Sequence, residues 1–150
     1  MHLGFGIYCY PKYDQNKQPI FPSVYSIITR IAKRDNYDFC PSGEYAEYLM
    51  GLRSIMPQKV ICYNNQKTKS YLLENGVSVI IRPSSNYFKP FIKSAQLRML
   101  VAYIKSKHVD NISSLDRLAL IKFYNNIDKT ELKSEASLLP QKIREFLILE

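Results

Sequence analysis

Divalent-metal chemistry needs hard oxygen ligands held close together, so carboxylates that are neighbours in the sequence come first. Two pairs qualify: Asp35 with Asp38, and Glu44 with Glu47. The glutamates stand at i, i+3, which puts both on one face of a helix. Neither pair sits in a DxD or glycine–serine setting of the kind phosphoryl transfer uses, and a solvated helix face accounts for Glu44 and Glu47. His2 and His108 are the only histidines, and the three cysteines Cys9, Cys40 and Cys62 form no CxxC and no cysteine–histidine spacing for a metal. There is no GxxxxGK[ST] phosphate loop, and Gly4-Phe5-Gly6 is a bare GxG. One histidine lies near the first residue and the other at a helix end, a poor setting for a serine–histidine or cysteine–histidine nucleophile. The residues therefore predict no catalysis, no metal and no cofactor.

Charge is the stronger signal. The chain carries a formal net charge of +8, which suits an acidic protein or a nucleic acid as partner. From Asn75 to Val109 there is no acidic residue, while Arg82, Lys89, Lys93, Arg98, Lys105 and Lys107 all fall there. Arg30, Lys33 and Arg34 form a second cluster. Either group can be a solvated stripe or a phosphate-contacting surface, and the Arg30–Arg34 cluster also complements a helix C-terminus.

The elements that must position these residues follow from periodicity. At 150 residues the chain is one domain with room for a core. No apolar run approaches the roughly 20 residues that span a bilayer, and the first residues show no signal peptide. With three unpaired-looking thiols, this predicts a reduced, cytoplasmic protein that does not enter a membrane. Residues 4–13 read as a strand broken by Pro11, and 14–22 as a polar linker. Ser23 caps a helix whose apolar positions are Val24, Ile27, Ile28, Ile31 and Ala32. Ser42 reads as the cap of a short helix carrying Tyr45, Ala46, Leu49 and Met50, closed by Gly51 in the left-handed conformation. Strands follow at 60–63, 71–74 and 77–82, with Asn75-Gly76 as the hairpin turn and the third strand as the buried one.

Pro90 opens the longest helix, 91–107, apolar nearly all round, with Ser94, Arg98 and Lys105 on a polar stripe. A helix capped by Ser113 or Ser114 follows, with Leu115, Leu118, Ala119 and Tyr124 on one side. A shorter helix is expected over 128–139, and a last one from Gln141 with Ile143, Phe146 and Leu147 inward. The expected fold class is α+β: a small, mostly antiparallel sheet with a β-hairpin at about 60–82, packed by helices, then a helical segment over 90–150. A single effector unit would occupy 23–150.

The positions Pro41, Ser42, Gly43, Ala46, Leu49, Gly51, Leu52, Pro57, Lys59 and Val60 carry a resemblance. Their order and spacing resemble the effector domain of AbiEi-type antitoxins, the transcription-regulating half of bacterial type IV toxin–antitoxin pairs that act in phage defence. The resemblance implies a non-enzymatic antitoxin domain that opposes a toxin of nucleotidyltransferase fold. It implies an interaction surface from the sheet and the Ser42–Gly43 loop, for which Ser42, Gly43, Tyr45, Arg82, Lys93 and Arg98 are the candidates. Gly6-Ile7-Tyr8 matches the last strand of that family's winged helix-turn-helix, so residues 1–13 are expected to be a wing remnant. Only a few residues precede Gly6, so the chain is expected to lack the DNA-reading helix, and DNA contact would fall to a basic surface. The strand at 6–10 offers an edge for pairing with a second copy. The alternative from a different class is a small basic nucleic-acid-binding module using the acid-free segment 75–109.

Overall fold

A computed structural model describes residues 1–4, 6–86, 92–132 and 135–148. Two small hairpins come first. β1 (His2–Gly4) pairs with β2 (Ile7–Tyr8), and β3 (Lys12–Tyr13) pairs with β4 (Pro19–Ile20). Leu3 is buried in the same cluster as the helix that follows. The opening residues are therefore packed into the fold, and the stretch expected as a linker contributes β4 to the second hairpin.

α1 (Val24–Arg34) begins where expected, with the Ser23 hydroxyl accepting from the Ser26 N–H. Its buried residues are Val24, Ile27, Ile28, Ile31 and Ala32, the set that its periodicity predicts. Burying each of the larger aliphatics is worth roughly 1.5–3 kcal/mol before entropy is counted. They pack on Val60, Cys62, Val79 and Ile81 of the sheet.

That sheet has four strands in the order β5 (Cys40–Pro41), β6 (Lys59–Asn64), β8 (Ser78–Pro83), β7 (Lys69–Leu72). β5 pairs antiparallel with β6, and β7 antiparallel with β8. β6 and β8 run parallel, with Tyr63 beside Arg82. The chain reaches the far edge before turning back, so its last strand enters the middle. The second strand begins and ends two residues earlier than the sequence suggests. The turn around Asn75-Gly76 is correspondingly longer, closed by Leu73 N–H on the Val77 carbonyl and Val77 N–H on the Asn75 side chain. β8 alternates and is not buried throughout: Val79 and Ile81 are buried, Ser78 and Ile80 half-buried, Arg82 exposed.

α2 (Gly43–Leu49) ends in a Schellman motif, with Leu52 N–H on the Glu47 carbonyl, Gly51 N–H on the Tyr48 carbonyl and Gly51 at φ +84°. Its start departs from expectation. The Ser42 hydroxyl makes no cap bond and instead donates to the Ile61 carbonyl at 2.8 Å.

The second core cluster joins Ala46 and Met50 of α2 to the C-terminal helices: α3 (Ala95–Lys107), α4 (Ser114–Asn125), α5 (Lys129–Leu132) and α6 (Gln141–Phe146). α3 starts later than expected, because Ser94 is its N-cap and accepts from Leu97 N–H. Ser94 is thus buried and not on a polar stripe. The expected start at Pro90 lies outside the described residues. Ser113 caps α4 as expected and Tyr124 is buried as expected, but Leu115 and Leu118 are 79% and 64% exposed, and Leu120 faces inward in their place. Residues 128–139 are split between α5 and a 3-10 turn at Ala136–Leu138, with 133–134 outside the described residues. Ile143, Phe146 and Leu147 are buried as expected. No helix is long and apolar enough to cross a membrane among the described residues.

Candidate functional site

The two faces of the four-stranded sheet are unequal. One is sealed by α1. Side chains alternate along a strand, so the other face carries Lys59, Ile61 and Tyr63 of β6, Ser78, Ile80 and Arg82 of β8, and Ser70 and Leu72 of β7. None of these eight residues is buried, and Leu72 is 65% exposed. An apolar centre with cationic ends is left on the surface.

At the β6–β8 end this face deepens into a cavity of about 320 Å³, lined by Ser42, Gly43, Glu44, Tyr45, Lys59, Ile61, Tyr63 and Arg82. Each wall has a local cause. Antiparallel pairing of Pro41 with Cys62 brings the Pro41-Ser42-Gly43 turn over β6. Ser42 locks the turn there, since its N–H and its hydroxyl both donate to the Ile61 carbonyl. Gly43 adopts φ +53°, a conformation that glycine takes without strain. Tyr45 points its ring into the core, and burial pushes its hydroxyl pKa well up, so it stays neutral. Parallel register then sets Arg82 beside Tyr63. Glu44 is tied to Arg53 at 3.4 Å, which leaves Lys59 and Arg82 as cationic walls with no carboxylate in salt-bridge reach among the described residues.

Four of the six expected site residues therefore meet: Ser42, Gly43, Tyr45 and Arg82. Lys93 and Arg98 do not join them. Lys93 precedes α3 and its backbone N–H donates to the Glu135 carboxylate at 2.6 Å. Arg98 lines a different cavity, against α1, so Arg82 and Arg98 share no surface. Lys59, Ile61 and Tyr63 were missed as site residues. The period-2 pattern of 59–63 carries the signal, since it sets these three on one face opposite Val60 and Cys62.

Among the described residues no group of three metal-ligating side chains comes together. Asp35 is paired with Arg34 at 2.8 Å, and that hydrogen bond holds its carboxyl below the usual range. The Tyr103 hydroxyl donates to Glu47 at 3.4 Å. Burial raises the Cys40 thiol to about 12 and pushes Cys62 higher still, so neither is a thiolate at neutral pH.

Comparison with known proteins adds one match. The model of a family of unknown function (DUF6088) matches residues 1–82, more than half of the chain. The match runs from β1 to Arg82 and so contains every residue lining the sheet-face cavity, whereas Lys93 and Arg98 lie beyond it. No curated protein and no solved structure matches the chain.

Proposed function

The chain belongs to this family of unknown function (DUF6088), and on the resemblance carried by positions 41–60 we propose that it is a non-catalytic, AbiEi-like antitoxin effector domain. It would oppose a toxin of nucleotidyltransferase fold by presenting the sheet face opposite α1. One observation carries the reading: Ser42 and Gly43 of the turn, Lys59 and Arg82 line one cavity at the edge of that face. Several residues of the resemblance are thereby used together, and the surface they frame is apolar at the centre and cationic at the rim. That is the make-up of a protein-docking patch for an acidic partner.

The test is growth of cells expressing the product of the gene adjacent to this chain's own, with and without residues 1–150. Rescue is expected. It should be lost with Lys59→Glu combined with Arg82→Glu, two exposed positions whose change leaves the melting temperature within about 2 °C. Full rescue by a folded double variant would remove the sheet face from the mechanism. Arg98→Glu is unsuitable as a companion change, because it would set a carboxylate against the Ile92 carbonyl that Arg98 now donates to.

A second reading, nucleic-acid binding, is favoured by residues other than the acid-free segment. An open groove of about 510 Å³ lies between Gly6, Ile7 and Tyr8 and the helix residues Arg30, Lys33 and Arg34. Tyr8, Tyr10 and Tyr13 stand exposed on the hairpins, Tyr10 at 95%. Aromatic rings beside cations suit a single strand, and binding that weakens steeply with salt would identify it.

A further inference from the structure

Residues 10–20 are exposed without exception, yet they form the hairpin β3–β4. Lys12 stands opposite Ile20 in it, and Tyr13 opposite Pro19. The turn is closed by the Asp14 N–H on the Gln18 carbonyl at 2.9 Å and the Lys17 N–H on the Asp14 carbonyl at 3.0 Å. The Asp14 carboxylate also accepts from the Asn16 and Gln18 N–H groups, so its charge is taken up inside the turn. The hairpin leaves the molecule at Cys9 and rejoins it at Phe21, both packed against the core around α1. β1–β2 differs, since Leu3 is buried in that core. A two-stranded hairpin is marginal by itself, so an arm that buries none of its own side chains is best accounted for by something that it meets.

Charge and rings set the chemistry of that partner. Residues 1–34 hold five cations, Lys12, Lys17, Arg30, Lys33 and Arg34, and one carboxylate, that of Asp14. Arg34 is tied to Asp35. Lys12 and Lys17 stand on the arm, while Arg30 and Lys33 are exposed and line, with Tyr8, the groove at its root. The Tyr8 ring is held in place: it lies against His2 with centroids 4.8 Å apart, and His2 Nδ1 is 3.2 Å from the Glu74 carboxylate. Tyr10 and Tyr13 are 95% and 60% exposed. From Tyr8 to Tyr13 the chain spans at most about 18 Å, so the three rings lie within reach of one short run of bases.

We propose that the β3–β4 arm extends the groove into a track for single-stranded nucleic acid, with bases stacked on Tyr8, Tyr10 and Tyr13 and phosphates on Lys12, Lys17, Arg30 and Lys33. The proposal rests on the nucleic-acid reading of the groove and adds to it the arm, and with the arm the length of strand held. Base faces are free in a single strand and hidden in a duplex, so exposed rings select the single strand. An acidic peptide would use the cations and leave the three rings without a role. RNA and DNA share the flat bases and the phosphates, so one track takes either.

The experiment is fluorescence anisotropy of the full chain with labelled thymidine deoxyoligomers and uridine ribooligomers, each of about 4 and about 12 nucleotides, and with the longer ones as duplexes. A longer strand should bind about tenfold more tightly than its short form and than its duplex. Tyr10→Ser combined with Tyr13→Ser should weaken the longer strand by about tenfold and leave the short one unchanged. Arg30→Gln combined with Lys33→Gln should weaken both lengths. All four positions are exposed, so the variants should keep the wild-type melting temperature. A preference for ribose or deoxyribose, either of which supports the proposal, identifies the strand. If no strand binds at either length, the groove reading falls and the arm with it. If both lengths bind alike, or the double tyrosine variant holds the longer strand as the wild type does, the groove stands and the arm is overturned. A duplex bound as tightly as its single strand would overturn the stacking.

Discussion

Gly51 shows how much one residue can fix. It sits at φ +84°, and a Cβ built there meets nothing within 4 Å, so a substitution there is resisted by backbone strain alone. Gly51→Ala should therefore lower stability by about 1 kcal/mol, with Gly51→Asn milder and Gly51→Val worse. Urea midpoints at constant slope would measure this series, and equal midpoints would show that the motif closing α2 tolerates another conformation. Gly51 was legible because its cause is local. Ser42 was not: serine before a helix reads as a cap, yet its hydroxyl serves Ile61, 19 positions away. No local pattern encodes a strand brought alongside by folding. Arg98 failed for the same reason, since a helical period names its stripe but not that α1 lies across it.

At the scale of elements, the start of α3 is tied by a carboxylate to the segment that follows α5. Glu135 is 6% exposed and accepts from the N–H groups of Lys93 and Ser94, at 2.6 and 3.4 Å, just ahead of α3. Those donors would otherwise be left unpaired at a helix start. Glu135→Ala should cost about 2–3 kcal/mol, and Glu135→Gln, which keeps one acceptor, about half of that. Thermal melts followed by helix signal test this, and an unchanged Glu135→Ala melt would mean water replaces the carboxylate at no cost. The contrast between α1 and α4 shows what periodicity can decide. In α1 five apolar residues share one face and Lys33 lies opposite them, so a single face is available. In α4 leucine and isoleucine fall on several sides, and Leu115 and Leu118 stay exposed while Leu120 is buried. The sequence offers more apolar stripes than the core uses, and only packing chooses among them.

The whole molecule keeps its ionisable groups neutral where its two cores meet the sheet. Cys40 and Cys62 lie on paired strands, Cys40 in one cluster and Cys62 in the other. Burial raises Cys40 from 9.0 to about 12, and Cys62 further. Burial likewise raises the hydroxyl pKa values of Tyr37, Tyr45 and Tyr103. That sheet was only half legible: its strands could be read from β-branched runs, but the parallel pairing of β6 with β8 depends on where β7 is placed, which nothing local specifies. The sign of the linkage is fixed by the direction of the shifts. A group whose folded pKa is raised gives stability that is intact below its unfolded pKa and is lost as pH climbs towards the folded one. Loss therefore begins near pH 9, where unfolded thiols ionise and folded ones do not. Each buried thiol should remove about 1.4 kcal/mol of stability per pH unit above that point, the tyrosines adding their share from about pH 10. Denaturant midpoints under reducing conditions at pH 8, 9 and 10 should fall accordingly. The same series on Cys40→Ala with Cys62→Ala should start from a lower midpoint, because methyl replaces a packed thiol, yet decline less between pH 9 and 10. An equal decline in both proteins would mean that the thiols ionise as readily folded as unfolded, and that the meeting point of the two cores is open to water.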